Sequence, residues 1–233
     1  MKQQFSKVSQ RGFGFIELFI LAGIIAAIAA SVFSLTKQPA NIKQPQQWLD
    51  IAEQKLITFA ALEGRLPCPD TTGDGVENVG CLATTAKGQL PYVTIGMAGT
   101  GFDRSDNGLR YGVYIKPSGT LSADANLTVL RNRYEPIKAD GTSSTYAFDN
   151  QNTIDFCVGL SNGDTATYSS AYLYGQTSSA ATANLAFALA YSGLNDADGV
   201  NGVFDGLNGN SAAPGFNAPG TPKTADYDDV VLT

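Results

Sequence analysis

Over residues 13–36, apolar and small side chains run for 24 consecutive positions with one charge among them, Glu17. A helix rising about 1.5 Å per residue reaches roughly 36 Å over that length, enough for a hydrocarbon core of about 30 Å. The stretch predicts a membrane span. Pro39 and Pro45 interrupt the helix or restart it, because an interior proline removes a backbone donor and clashes with the preceding turn. Pro45 suits a first helical turn. Over residues 46–63 the pattern changes: Trp48, Ala52, Leu56, Phe59 and Ala60 recur at three- and four-residue spacing, with Asp50, Glu53 and Lys55 between them. That period predicts an amphipathic helix with one face for a core. Gly64 supplies its stop, with Pro67 and Pro69 beyond.

Past Gly64 the apolar runs shorten. LRYGVYIKP, NLTVLRNRYEPI, TIDFCVGLS, AYLYGQ, LAFALAYSG and YDDVVLT are rich in Tyr, Val, Phe and Ile, and turn-forming residues bound them. They predict short strands, although LAFALAYSG also fits a short helix. Residues 161–170 and 193–222 are rich in Gly, Ser, Asn and Ala and predict loops. The second, at about 30 residues, is long for a compact domain, which implies that it binds something or is tied down by ions and turns. No internal repeat is present.

Charge sets the orientation. Lys2, Lys7 and Arg11 precede the apolar stretch with no acid among them. Basic residues beside a first span hold that end in the cytoplasm, so the rest of the chain is expected outside. A cleaved secretory signal fits less well, since its apolar core is typically about 7–15 residues long. An Ala-x-Ala-like site also occurs only inside the run, around Ala26 to Ala30. The formal net charge is −6, and it becomes −9 without residues 1–12, which hold three basic residues. Residues 140–222 contain seven Asp and no Lys or Arg. An exterior this acidic repels nucleic acid and anionic lipid, so no nucleic-acid partner is expected.

A carboxylate at membrane depth is costly and calls for a partner. Arg11-Gly12, then Phe13, then Glu17, then unbroken apolar sequence resembles the prepilin signature of type IV pilins and type II secretion pseudopilins. In that family a prepilin peptidase cuts after the glycine and methylates the new amino terminus. The resemblance implies a scissile Gly12–Phe13 bond and a methylated Phe13 amine. It also implies that Glu17, fifth in the mature chain, neutralises the Phe13 amine of a neighbouring subunit during assembly. Gly14 stands where the family more usually has Thr or Ser. Without Gly12-Phe13, Glu17 would read as a side chain reaching the membrane interface. AALEGRLPCPDTTGDGVENVGC, GQLPYVTIGM, LRYGVYI and DFCVGL are similar to segments of a group of prepilin-like proteins, which supports pilin-like architecture without specifying a machine.

Three cysteines allow three single pairings. Cys68–Cys81 is expected, because exported domains favour disulfides and the loop between these two is short. Cys157, in IDFCVGL, reads as a buried strand thiol. Two acidic stretches have the oxygen-rich spacing and glycine turns that suit calcium. One offers Asp70, Asp74 and Glu77; the other offers Asn195, Asp196, Asp198, Asn201 and Asp205. Neither completes an EF-hand, and Asp-Gly and Asn-Gly are also ordinary turn residues. The absence of histidine excludes Ser-His-Asp and Cys-His nucleophiles. Asp228 and Asp229, adjacent on an expected strand, would face opposite sides. GLNGNSAAPG lacks the lysine of a phosphate loop. No enzyme is expected.

The resemblance and the residue patterns together give an α+β expectation: a long N-terminal α-helix, its first half transmembrane, packed on an antiparallel β-sheet, pilin-like, with long acidic loops. The divisions are a leader at 1–12, a transmembrane and assembly helix at 13–36, its amphipathic continuation at 37–64 and a β-rich head at 65–233. The implied role is a minor pilin of a type IV pilus-like fibre. A type II secretion pseudopilin and a membrane-anchored periplasmic binding module that does not polymerise are the alternatives. The implied partners are prepilin peptidase, other pilin or pseudopilin subunits, an inner-membrane assembly platform and the membrane. The chain would cross the inner membrane once before assembly, with its N-terminus in the cytoplasm. Afterwards it would lie in a fibre in the periplasm or at the cell surface.

Overall fold

Helix α1 (Lys43–Glu63) realises the amphipathic period and starts three residues earlier than residue 46. Pro45 falls in its first turn, where a missing backbone donor costs no intrahelical bond. Leu49, Ala52, Leu56 and Ala60 are buried, while Gln46 and Asp50 on the solvent face bond to each other at 3.0 Å. Burial of a side chain such as Leu56 contributes about 1.5–3 kcal/mol. Gly64 ends the helix with φ 63° and its N–H donating to Ala60 O at 2.9 Å. A side chain there would meet the left-handed penalty that glycine escapes.

The computed structural model describes residues 43–98, 108–119, 123–131, 133, 153–176, 182–193, 196–200, 202–210 and 213–233. Four short strands form the central antiparallel sheet: β1 (Lys87–Gln89), β2 (Arg110–Val113), β7 (Phe187–Tyr191) and β9 (Val230–Leu232), in the order β1-β2-β7-β9. Helix α1 lies against β7 and β9. Tyr111, Val113, Leu189 and Ala190 enter the core that α1 covers, and Tyr111 Oη donates to Pro67 O at 3.0 Å. β3 (Ile115–Lys116) and β4 (Ala125–Asn126) form a separate antiparallel pair, against which α2 (Thr153–Thr165) packs. A third sheet joins β5 (Tyr174–Gln176) to β6 (Thr182–Asn184) antiparallel and to β8 (Gly215–Asn217) parallel. Helix α3 (Gly206–Gly209) is a single turn before β8.

This architecture corrects the fold expected from sequence. The chain is α+β, but the strands of the described residues divide among three sheets, and one pair is parallel, so a single antiparallel sheet does not describe it. The described residues contain three helices, and none is long and apolar enough to cross a membrane. The expected membrane stretch, residues 13–36, lies outside the described residues. The segment TIDFCVGLS is helical, not extended. Phe156, Gly159 and Gly163 face inward at three- and four-residue spacing, and the buried Asp155 accepts the Arg133 N–H at 2.6 Å. The loop expected at 161–170 therefore begins as helix. The loop expected at 193–222 contains α3 and β8.

Candidate functional site

Two distant stretches meet beside β9 through their carboxylates. Asp205 precedes α3, Asp229 precedes β9, and both side chains are buried. Asp229 Oδ2 accepts the Asp205 N–H at 3.0 Å and Asn208 Nδ2 at 2.9 Å, while Oδ1 accepts the Gly193 N–H at 3.1 Å. Asp205 Oδ1 accepts the N–H groups of Ala197 and Asp198 at 2.8 and 3.2 Å, and Oδ2 accepts that of Asp228 at 2.8 Å. Asp198 binds the N–H groups of Val200 and Gly206 at 2.9 and 2.7 Å. These carboxylates take up backbone donors that an irregular segment would otherwise leave open. The close approach also explains Gly193: an added Cβ would lie 1.9 Å from Asp228 Cγ.

A lysine anchors the other side. Lys87, on β1, is buried and shares its ammonium protons among four carbonyls: Leu207 O at 2.6 Å, Gly215 O at 2.8 Å, Asn210 O at 2.9 Å and Ala213 O at 3.4 Å. Its Nζ lies 4.6 Å from the Phe216 ring centroid. Burial pushes this ammonium down to about 7; the Arg110 charge adds to the fall and Asp229 opposes it. The four carbonyls also oppose it, because they accept hydrogen bonds from the charged form. Burial pushes Asp229 up to about 6, against the hydrogen bonds from Asn208, Asp205 and Gly193. The result is a central sheet tied by one buried cation to the segment that carries α3 and β8.

Of the residues expected to hold calcium, Asp196, Asp198 and Asp205 have carboxylate oxygens within 4.8 Å of one another. Asn195 and Asn201 lie outside the described residues. Asp205 also joins Asp228 and Asp229 in a second group of the same size. The expectation that Asp228 and Asp229 face apart is therefore corrected: both precede β9, where strand alternation does not apply. Since Asp205 and Asp198 already meet N–H donors, the loop is expected to hold its form under chelation. Amide NMR shifts of residues 196–210 should be unchanged by EDTA; their collapse would show a loop built around a cation.

The other acidic stretch is organised differently. Asp70 Oδ2 accepts the Gly75 N–H at 2.7 Å, and Oδ1 accepts the Thr72 N–H at 3.0 Å. Glu77 forms a two-pronged contact with Arg65 at 2.7 and 2.8 Å and accepts the Cys68 N–H at 3.0 Å. Burial pushes Glu77 up, but the Arg65 and Cys68 hydrogen bonds outweigh it and leave the carboxyl below its ordinary range. Among the described residues, Asp70, Asp74 and Glu77 form no convergent group.

Cys68 and Cys81 are joined, with Cα atoms 5.8 Å apart. Reduction should lower stability by about 3 kcal/mol, the typical magnitude for a loop of this size. Urea melts with and without reductant measure it, and coincident curves would show that the Arg65–Glu77 contact suffices. Cys157 is free, but it is exposed on α2, not buried on a strand. The helical period turns it out of the core, toward a groove it shares with Ile57, Ala60 and Phe187. Gly12, Phe13 and Glu17, the expected processing and assembly residues, lie outside the described residues. Sequence reasoning missed Lys87 and Asn208 and set Asp229 aside as facing away from Asp228. Lys87, in the polar run AKGQ, carries no local mark of burial. No protein-family model, curated protein or solved structure matches the chain.

Proposed function

We propose that this chain is a structural subunit of a type IV pilus-like fibre, a minor pilin processed by a prepilin peptidase and assembled through residues 13–36. The observation that carries this reading is the sequence Arg11-Gly12-Phe13 followed by Glu17 as the one charge in an apolar run. The Cys68–Cys81 bond supports a head in an oxidising compartment outside the cytoplasm. Before assembly the chain is a single-pass inner-membrane protein whose partners are the peptidase, the assembly platform and neighbouring subunits. Afterwards it lies in the fibre.

Shearing separates the two states. In a host with an assembly system, the chain should appear in the sheared fibre fraction and disappear from it when the prepilin peptidase is deleted. Retention in the membrane fraction with or without the peptidase would contradict the proposal.

A further inference from the structure

A second site lies away from the carboxylate network and does not depend on the fibre reading. Between α2, β6 and the β3–β4 pair is a cavity of about 240 Å³. Its walls include Leu127, Leu160 and Leu185, and its polar lining comes from Tyr114, Asp164 and Asn184. Tyr114 is 1 % exposed, yet among the described residues its buried hydroxyl meets no hydrogen-bond partner. Asn184 donates through Nδ2 to Gly163 O at 3.1 Å and Ala166 O at 2.9 Å, closing the end of α2. Its buried Oδ1 is also without a partner among the described residues. Two unmet polar atoms thus share one cavity, in places where unmet groups are rare and costly.

The lining also specifies charge. Asn184 Oδ1 and the Asp164 carboxylate can only accept, whereas the Tyr114 hydroxyl can do either. Gly163 and Asp164 belong to the last turn of α2, which carries no basic residue to meet its partial negative charge. Among the described residues, no lysine or arginine lines the cavity. Leucines on the walls suit an alkyl stem, and a cavity of about 150 Å³ already admits a benzene ring. From this convergence we propose that the cavity binds a small primary ammonium on an aliphatic stem. Its N–H groups meet Asn184 Oδ1, Tyr114 Oη and Asp164, and its stem packs among Leu127, Leu160 and Leu185. Burial pushes the Tyr114 hydroxyl up, followed by the effect of Tyr172, so the phenol stays protonated beside such a ligand.

The test titrates the full chain in nonionic detergent with n-butylammonium chloride, at ionic strength matched by NaCl, with binding read by calorimetry. Saturable binding is expected, with n-butanol and butyrate at least about tenfold weaker because they lack the charged donors. Tyr114→Phe should weaken binding about tenfold, as expected for one hydrogen bond to a charged group, without lowering the melting temperature. Asp164→Asn should weaken binding several-fold and flatten its salt dependence. Nα-acetyl-lysine methylamide, titrated alongside, separates the two sources of such a head. Tighter binding than n-butylammonium assigns a lysine of another chain, and weaker binding assigns a free amine. A cavity that holds only water would show no saturable signal beyond the NaCl control. That result, equal binding of n-butanol, or wild-type affinity in both variants would overturn the proposal.

Discussion

Lys87→Met should destabilise the folded unit by roughly 3–5 kcal/mol, because each buried carbonyl left without a donor costs about 1–3 kcal/mol. Four carbonyls of the α3–β8 segment converge on its ammonium, and a methionine would fill the space while giving them no donor. For a domain near this size, about 1 kcal/mol moves a melting temperature by roughly 2–4 °C. A fall on the order of 10 °C follows from those two magnitudes. Lys87→Arg should not restore it, since a planar guanidinium cannot aim its donors as a compact ammonium does. Hydrogen exchange should locate the damage at Leu207, Asn210 and Phe216 before it spreads to β2 and β7. An unchanged melting temperature in Lys87→Met would mean that the carboxylates of Asp205 and Asp229 hold that segment alone.

Glu17→Ala should remove the chain from fibres and leave the Lys43–Thr233 unit folded, as read by its melting temperature. If the proposed assembly holds, Glu17 meets the Phe13 amine of a neighbour within lipid. Deleting one partner of a buried pair typically costs about 3–5 kcal/mol. Each 1.4 kcal/mol is a factor of ten, so incorporation relative to wild type should fall on the order of a hundredfold or more. Membrane insertion should be unimpaired or improved, because a costly charge has gone. Glu17→Gln keeps the shape and removes the charge. Failure of both variants assigns the effect to electrostatics, and wild-type incorporation of both would leave Glu17 as an interfacial residue.

What could be read from the sequence was local. The spacing of Ala52, Leu56 and Ala60 and the stop at Gly64 gave α1, because a helix carries its period within one segment. Arg110–Val113 shows its strand character in Tyr111 and Val113, whereas Phe187–Tyr191, rich in Ala and Leu, fitted a strand or a short helix. Cys68 and Cys81 are close enough in sequence for their pairing to be expected. What was not legible depends on partners far along the chain. TIDFCVGLS has the composition of a strand, but Asp155 is drawn inward by the Arg133 backbone 22 positions away, and only a helix can bury it beside Phe156. β8 reads as loop, since Gly-Phe-Asn becomes a strand only through its parallel pairing with β5.

The site residues divide in the same way. The local spacing of Asp196, Asp198 and Asp205 announced that their carboxylates could converge. The part played by Asp229 depends on Gly193 and Asn208, distant in sequence, so nothing near it marks its role. Lys87 looks like a solvated lysine until the α3–β8 segment folds over it. Tyr114 and Asn184, 70 positions apart, come to line one cavity only in the folded chain, beside the end of α2.

The reading as a prepilin-type subunit rests on one bond, and intact-mass and N-terminal peptide measurements on the chain from a host with an active prepilin peptidase test it directly. The account predicts a chain that begins at Phe13 and carries one added methyl group on its amine; a chain that begins at Met1, or one cut near Ala30, would contradict it.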